Sequence, residues 1–357
     1  TGTRGDAEGS PILSWGPKLN PANQTGYEPT DFFDTGAAYS NSITLSTGTD
    51  KNQTFFSAAA VNSEGMIPNN RYNRYNFTFR NTTHFLNDKM KLDVGASYII
   101  QNDRNMTNQG VYSNPLVSAY LFPRGDDFSL VKAFERYDEA RKINVAYWPQ
   151  GEGDLRMQNP YWITNRNMYT NKKDRFLASG SLKYTITDWL NVSGRVKLDK
   201  ETINSEKKMY ASTLNVIAEN SDKGAYVQSN KNTSQIYADA MLNINKYFYH
   251  DTWNLTASLG ASLLDLDYKE LNFGGGLLTI PNLFTSNNAN VSGKLTYKNT
   301  NYHDRTNSLF GTFSLGYKGM VYVDGSLRND WISALAGTNH SSILYPSIGA
   351  SAILTNM

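Results

Sequence analysis

Alternation of apolar and polar side chains with a period of two recurs along the chain and constrains its fold more than any other feature. Residues 75–99 show it on both sides of the short turn LNDK. Phe77 and Phe79 alternate with polar residues before the turn, and Val94 and Ala96 do so after it. A period of two is typical of a β-strand with one apolar and one polar face. The sequence therefore predicts two-faced antiparallel hairpins.

The same pattern predicts about 11 strands in the whole chain. Further hairpins are predicted at 41–49 with 53–61, 175–187 with 189–200, 233–246 with 252–265 and 305–317 with 320–331, followed by a strand at 345–355. Every second link is a tight turn, and the others are long, at 62–71, 102–174, 201–232, 266–304 and 332–344. Short turns at one end and long loops at the other are typical of an outer-membrane β-barrel. Strands of about 12–14 residues are also long enough to cross a bilayer when tilted.

Composition agrees with a barrel and excludes several other classes of protein. The chain is 39% hydrophobic and 13% aromatic, with no apolar run of the roughly 18 residues that a membrane-spanning helix needs. A transmembrane barrel remains possible because its strands are apolar only at alternate positions, and the aromatic residues suit its two interfacial girdles. The net charge of +2 is spread along the chain, which argues against a nucleic-acid partner. With 0 cysteines there is no disulfide and no thiolate metal site.

No constellation of residues predicts an enzyme. The 4 histidines are far apart in sequence and lack the spacing of a metal-binding motif. No nucleophile elbow, dinucleotide fingerprint or P-loop is present in the sequence. We therefore expect no catalytic residue, no bound metal and no cofactor.

Several stretches, taken in order, resemble the SusC/RagA family of TonB-linked (TonB-dependent) outer-membrane transporters. They are SWGPKL, the region from TDFFDTG to FRNT, NPLVSAYLFPRGDD, QNPYWITNRN, DWLNVSGRVKLD and LYPSIGASAIL. The resemblance implies an all-β fold, an antiparallel barrel of about 22 strands with short periplasmic turns and long extracellular loops. It also implies that this chain is a segment of a longer protein, without the plug domain and the C-terminal strands. Residues 1–40 are then a loop or entry segment, and 41–357 are part of the barrel, with a long extracellular loop at 102–174.

The resemblance also implies a location and a set of partners. The expected location is the outer membrane of a Gram-negative cell of the Bacteroidetes type, in contact with outer-membrane lipid. The expected partners are a SusD-like surface lipoprotein over the outer loops and the TonB–ExbB–ExbD complex on the periplasmic side. The expected function is active import of oligosaccharides or peptides. Two alternatives stay open, a passive porin or adhesin barrel and a soluble carbohydrate-binding β-protein.

Candidate substrate-binding residues are aromatic side chains in the long 102–174 insert. They are Tyr112, Trp148, Tyr161 and Trp162. Aromatic faces beside amides can hold a sugar or a peptide at a pocket wall, although the same residues could instead pack the loop into a rigid lid or meet a partner subunit. Helical spacing of apolar residues in 130–142 predicts a short surface helix. Asp126 and Asp127 either cap a turn or the following helix, or help to bind a cation or a glycan hydroxyl.

Charged residues on the polar side of the predicted strands are candidates for the barrel lumen. They are Arg80, Arg195, Lys197, Asp324 and Arg328, which we expect to make cross-strand pairs or to contact the plug. In the 75–99 hairpin, the row that contains Phe77, Phe79 and Val94 should face lipid. Tyr75 and Tyr98 should lie near the outer aromatic girdle.

Overall fold

The computed structural model of the protein describes residues 27–106, 110, 113–122, 127–149, 157–290 and 297–356. Its main feature is an 11-stranded antiparallel sheet in which each strand pairs with its neighbours in chain order. The number of strands predicted from the sequence is therefore confirmed. Within the described ranges, no helix is long and apolar enough to span a membrane.

The strands fall into two groups along the chain. The first four strands of the sheet are β1 (Ala37–Gly48), β2 (Asn52–Glu64), β3 (Arg71–Phe85) and β4 (Met90–Arg104). A separate small hairpin follows, made of β5 (Glu135–Asp138) and β6 (Ile143–Ala146). The sheet continues with β7 (Asn167–Thr187), β8 (Leu190–Tyr210), β9 (Gly224–Phe248), β10 (Trp253–Gly276), β11 (Tyr297–Tyr317), β12 (Val321–Ile332) and β13 (Ser342–Ala352). Because β1 begins at Ala37, the sheet starts inside the 1–40 segment that the sequence predicted as a loop.

The described part of the link between β4 and β7 contains three short helices. They are α1 (Pro115–Tyr120), α2 (Ser129–Lys132) and α3 (Pro160–Arg166). Both α1 and α3 begin with Asn-Pro: the side chain of Asn114 accepts a hydrogen bond from Leu116 N, and that of Asn159 accepts bonds from the first turn of α3. This is the preferred start of a helix, because Asn caps the free N–H groups and Pro needs no N–H at the first position.

The surface helix predicted over 130–142 is wrong. Only the last three residues of α2, 130–132, are helical there, and the chain then turns back on itself as the β5–β6 hairpin. The side chain of Asp138 accepts hydrogen bonds from the N–H groups of Ala140 and Arg141, which closes the turn. An Asx turn of this kind competes with a helix for the same backbone donors.

The links between strands segregate by length, as predicted. One end of the sheet, hereafter the short-turn end, carries links such as 49–51, 86–89 and 318–320. Lys318 and Gly319 both have positive φ, 52° and 67°, the conformation that a tight hairpin turn requires. At the other end, the long-loop end, the links are 65–70, 105–166, 211–223, 277–296 and 333–341.

All five long links are shorter than predicted, because the strands run further than the apolar alternation does. β9 has 25 residues and β10 has 24, whereas about 12–14 were expected. Their additional residues continue the hydrogen-bonded ladder toward the long-loop end, with polar side chains such as Ser229 and Asn272. The insert predicted at 102–174 is accordingly a link at 105–166. In these extensions the backbone is still paired between strands, but the side chains lie beyond the apolar part of the sheet.

The register puts apolar and polar side chains on opposite faces of the sheet. Along one row, Val94 pairs with Gly180, Gly180 with Val196 and Val196 with Ala238. The adjacent row on the other face includes Ser181 and Arg195. The first face is hereafter the apolar face and the second the polar face. Many large side chains of the apolar face are exposed, among them Val196 at 54% and Leu259 at 57%.

The apolar band on this face runs at an angle to the strands. On β7, Phe176 lies near the long-loop end of the band and pairs with the polar Lys200 on β8. Leu198 on β8 pairs with Ile236 on β9, which in turn pairs with the polar Asp265 on β10. From β7 to β8, and again from β9 to β10, the polar residue that ends the band therefore lies closer to the short-turn end. Paired residues lie on a line perpendicular to the strands, so the strands are tilted relative to the band, as in a barrel.

The height of the band matches a bilayer. On β10 the apolar-face residues run from Trp253 to Leu263. Ten residue steps of about 3.3 Å give roughly 33 Å along the strand, or about 25 Å in height at a tilt near 40°. Outer-membrane barrels have an apolar band of about 25 Å. At the short-turn end of the band the ring centroids of Trp253 and Tyr317 lie 4.8 Å apart, an aromatic pair of the type that forms an interfacial girdle.

Candidate functional site

Ion pairs join neighbouring strands on the polar face. Nη2 of Arg80 lies 2.8 Å from Oδ2 of Asp93, and Nη2 of Arg195 lies 2.6 Å from Oδ2 of Asp239. Pairs of the same kind join Arg175 to Asp199, Lys173 to Glu201 and Lys231 to Glu270. Opposite charges on adjacent strands stabilise a sheet, whereas an arginine or lysine facing lipid at the bilayer midplane costs about 2–4 kcal/mol. This face is therefore suited to water or to a polar partner.

All five residues predicted for the lumen lie on the polar face. Arg80, Arg195 and Arg328 are each paired with an aspartate, on β4, β9 and β12 respectively. Lys197 lies between Ser179 and Tyr237 in the register, and Asp324 lies opposite Ser314. Within the described ranges, neither Lys197 nor Asp324 makes an ion pair. Their contact with a plug stays a prediction.

Two concavities open on the polar face. One, of about 740 Å³, is lined by Arg80, Arg195, Lys197 and Tyr237 together with serine hydroxyls. The other, of about 1030 Å³, lies at the short-turn end beside β1–β4 and includes Lys91 in its lining. Both have the size of a ligand pocket or larger. The polar face thus offers charged and hydroxyl groups to whatever occupies this side of the sheet.

At the long-loop end, separate loops pack together into a small domain, hereafter the loop cap. Its core contains Tyr27, Phe32, Ala119, Phe122, Phe128 and Val131, all buried. The rings of Tyr27 and Phe128 stack with centroids 3.9 Å apart, and the Tyr27 hydroxyl donates a hydrogen bond of 2.8 Å to Ala119 O. The segment before β1 is therefore held against the link between β4 and β7, 92 residues further along the chain.

Asparagine side chains join the remaining loops to the cap. Nδ2 of Asn69, in the link between β2 and β3, donates to Thr164 O at 2.8 Å, and Nδ2 of Asn105 donates to the same oxygen at 2.9 Å. Asn159 is fully buried, and its Nδ2 donates to Val131 O and Tyr147 O, each at 2.8 Å. Buried amides that satisfy backbone groups in this way fix the loops in one arrangement.

The predicted loop aromatics have different roles in the cap. Trp162 is 0% exposed, and its Nε1 donates a 3.0 Å hydrogen bond to Thr213 Oγ1 in the link between β8 and β9. Trp162 packs two loops together, which is the alternative role that the sequence left open, and substrate binding by this residue stays a prediction. Tyr112 lies outside the described residues.

The other two aromatics are half-buried. Tyr161 packs edge-on against Phe32 at 5.3 Å, and Trp148 packs against Phe122 at 5.9 Å. Burial, with smaller contributions from Asp34 and Asp31, raises the pKa of the Tyr161 hydroxyl to about 12. That hydroxyl is therefore a neutral hydrogen-bond donor at any physiological pH. Substrate binding by Trp148 and Tyr161 stays a prediction.

Asp127 closes the turn that leads into α2. Its Oδ1 accepts a 2.9 Å hydrogen bond from the backbone N–H of Ser129, and hydrogen bonds from Ser129 lower the pKa of this carboxyl group. This is the first of the two readings that the sequence left open, while Asp126 lies outside the described residues. In the part of the chain that the structure describes, no three His, Cys, Asp or Glu side chains come together as metal ligands.

Four features together define the structural class of this protein. They are a tilted apolar band, a charged opposite face, short turns at one end and packed loops at the other. The fold is part of a transmembrane β-barrel of the kind found in TonB-dependent outer-membrane import proteins. Solved structures agree with this assignment. The structure is similar to that of the RagAB peptide transporter, with a TM-score of 0.65 and 16% identity, over 88% of this chain and 34% of that chain.

Two further similarities extend the comparison. The RagAB peptide importer in its closed-closed state aligns with a TM-score of 0.65 at 16% identity, over 89% of this chain and 34% of that one. The ferripyoverdine receptor of the outer membrane of Pseudomonas aeruginosa aligns with a TM-score of 0.52 at 12% identity, over 91% of this chain and 40% of that one. No protein-family model and no curated protein matches the chain.

These similarities confirm the predicted fold, a partial barrel like that of RagA, and they agree with an outer-membrane location. The chain spans about a third of the length of the RagAB structures, 34%. Among the described residues, the 11 strands form an open sheet whose edge strands, β1 and β13, each pair on one side only. An edge left open in lipid would leave backbone groups without partners, so the remaining strands of a barrel must cover both edges.

Proposed function

We propose that this chain is part of the barrel wall of an outer-membrane importer that takes up an oligosaccharide or a peptide and is energised from the inner membrane through TonB. The observation that carries the proposal is the two-faced sheet, whose apolar band is about as high as a bilayer while its opposite face is lined with ion pairs. In this orientation the short-turn end is periplasmic, the loop cap is extracellular and the polar face lines the lumen.

The loop cap supports an active importer over a simple pore. Its loops are held together by a buried aromatic core and by asparagine hydrogen bonds, so they form a rigid surface above the lumen. A preorganised surface is suited to docking a folded partner, and we propose a SusD-like surface lipoprotein for that role. The RagAB structures are those of a peptide transporter, which supports a peptide as one of the two candidate substrates.

Uptake by cells that carry the full-length protein tests the proposal. We expect accumulation of labelled peptide or oligosaccharide above its external concentration, and we expect accumulation to stop when TonB is deleted, because diffusion through a pore cannot concentrate a solute. The control is a strain that lacks the transporter gene and keeps TonB. Uptake that is unchanged without TonB would contradict an energised importer and would indicate a passive barrel instead.

A further inference from the structure

A concavity of about 600 Å³ opens on the same side of the sheet as the apolar face, beyond the apolar band toward the long-loop end. Two adjacent rows of the register line it, one residue from each of β7–β10 in each row. The rows are Thr170, Glu206, Gln228 and Phe273, and Lys172, Asn204, Asn230 and Leu271. Both rows continue the alternation of the apolar face, so these side chains point away from the lumen. A solute that passes through the barrel therefore does not meet this concavity.

The concavity lies well above the hydrocarbon core of the membrane. On β8 the last apolar residue of the band is Leu198, and Asn204 lies on the same face further toward the long-loop end. Six residue steps of about 3.3 Å give roughly 20 Å along the strand, or about 15 Å in height at a tilt near 40°. Phospholipid headgroups extend only about 5–8 Å beyond the hydrocarbon core. A membrane lipid that reaches this concavity therefore needs a longer headgroup.

Several polar groups around the concavity are held in place by one another. Nδ2 of Asn230 donates a 2.6 Å hydrogen bond to Oδ1 of Asn204 on the adjacent strand. Oε1 of Glu206 accepts a 2.7 Å hydrogen bond from the hydroxyl of Tyr226, and its Oε2 lies 2.8 Å from Nζ of Lys208. Polar groups fixed in this way form a preorganised surface, which lowers the entropic cost of binding a ligand.

The chemistry of the lining suits a saccharide. Gln228 and Lys172 are exposed and offer hydrogen-bond donors, while Phe273 and Leu271 supply an aromatic and an aliphatic wall. The carboxylate of Glu206 balances the positive charge near it, so the concavity carries little net charge. Amides beside an aromatic face can hold a sugar through hydrogen bonds and ring contact together. A small free anion would not use the apolar wall.

An exposed lysine lies between the apolar band and the concavity. Lys200 is the first polar residue above the band on β8, and it pairs with Phe176 on β7 and Ser234 on β9. Asp174 occupies a diagonal position on β7, where its Oδ1 accepts a 2.9 Å hydrogen bond from the hydroxyl of Tyr98. Within the described ranges, Lys200 makes no ion pair. Two residue steps above the band correspond to about 5 Å in height, which is the level of lipid headgroups.

We infer that the outward side of β7–β10 binds lipopolysaccharide, the glycolipid of the outer leaflet. From the membrane outward, this surface presents an apolar band, an exposed lysine and a concavity suited to sugars. Lipopolysaccharide carries its groups in the same order: acyl chains, phosphorylated sugars and then a longer saccharide. Lys200 pairs with a phosphate, and Asn204 and Gln228 hold the saccharide beside Phe273. The inference rests on the orientation given in the proposed function, with the long-loop end outside the cell, and is independent of energised import.

Native mass spectrometry of the full-length protein in detergent tests this inference with three probes. They are lipopolysaccharide from the strain that carries the protein, lipid A prepared from it by acid hydrolysis, which removes the longer saccharide, and phosphatidylglycerol. We expect lipopolysaccharide to bind most tightly. Asn204→Ala/Gln228→Ala should weaken lipopolysaccharide binding about tenfold and leave lipid A binding unchanged, because only neutral hydrogen bonds to the saccharide are lost. Lys200→Gln should weaken both about tenfold, because both carry the phosphate.

Lys197→Gln is the matched control, because Lys197 lies on the same strand and on the opposite face. It should leave binding of all three lipids unchanged. Equal binding of lipopolysaccharide and lipid A by the unaltered protein, or lipopolysaccharide binding that neither outer-face variant weakens, would overturn the inference. A protein dimer that dissociates in Asn204→Ala/Gln228→Ala while lipopolysaccharide binding persists would also overturn it, with a second copy as the occupant. Uptake that does not need TonB, with lipopolysaccharide binding as expected, would overturn the energised importer alone.

Discussion

Replacing Val94 by arginine is expected to weaken folding into the membrane by about 2–4 kcal/mol. Val94 lies in the middle of the apolar-face residues of β4 and is paired with Asn81 and Gly180. Around this position a guanidinium would have to leave water for the bilayer core. The measurement is the free energy of folding of the full-length barrel into lipid vesicles, followed by the mobility shift between unheated and heated samples on a detergent gel.

The matched control is Ser97→Arg, three residues further on the same strand. Ser97 is on the polar face, where its Oγ donates a 3.2 Å hydrogen bond to Thr78 Oγ1. An arginine there enters a surface that already holds Arg80 and Arg195, so folding should be nearly unchanged. Equal tolerance of both substitutions would contradict the assignment of the two faces.

Trp162→Ala is expected to destabilise the loop cap by about 3–5 kcal/mol. The substitution removes a fully buried ring and leaves the Thr213 hydroxyl without the donor it has at 3.0 Å. The strands do not depend on this ring, so the barrel should still form. Limited proteolysis of the folded protein, read at 105–166 and 211–223, measures the change as faster cleavage of those links alone.

Trp162→Phe is the control for that variant. It keeps a buried six-membered ring but loses the pyrrole part of the indole together with its hydrogen bond. Its cost should therefore be smaller than that of alanine, about 1–2 kcal/mol for the lost hydrogen bond plus a small cavity, with a correspondingly smaller increase in cleavage. Cleavage at the unaltered rate in Trp162→Ala would show that the cap does not depend on this residue. That result would favour the prediction that Trp162 contacts a ligand.

Strand number and facing could be predicted from the sequence because a period of two fixes which side chains share a face. Along 189–200, for example, the alternation of Val192, Val196 and Leu198 with polar neighbours allows only one orientation in a one-sided sheet. The ends of the strands could not be predicted in this way. Beyond Lys200 both faces of β8 are polar, and the ladder continues through backbone hydrogen bonds with β7 and β9 that the side-chain pattern does not reveal.

The loop cap was less accessible to prediction. Helical spacing of Leu130, Phe134 and Tyr137 outweighed the turn signal at Asp138, although that residue closes a hairpin. The Asn-Pro pair at 159–160 was a readable helix start, and it marks α3. Whether an aromatic residue such as Trp162 packs inside the protein or binds a ligand depends on residues distant in sequence, here Thr213. Local sequence contains no information about that contact.

The two-faced membrane-spanning sheet is tested most directly by a spin-label scan along β8. The chain contains 0 cysteines, so single cysteines can be introduced from Leu190 to Leu198 without removing native ones from this segment. In lipid vesicles, labels at 190, 192, 194, 196 and 198 should collide with oxygen dissolved in the bilayer. Labels at 191, 193, 195 and 197 should collide with a water-soluble nickel chelate. Equal accessibility to both reagents at all nine positions, or the opposite alternation, would contradict the account.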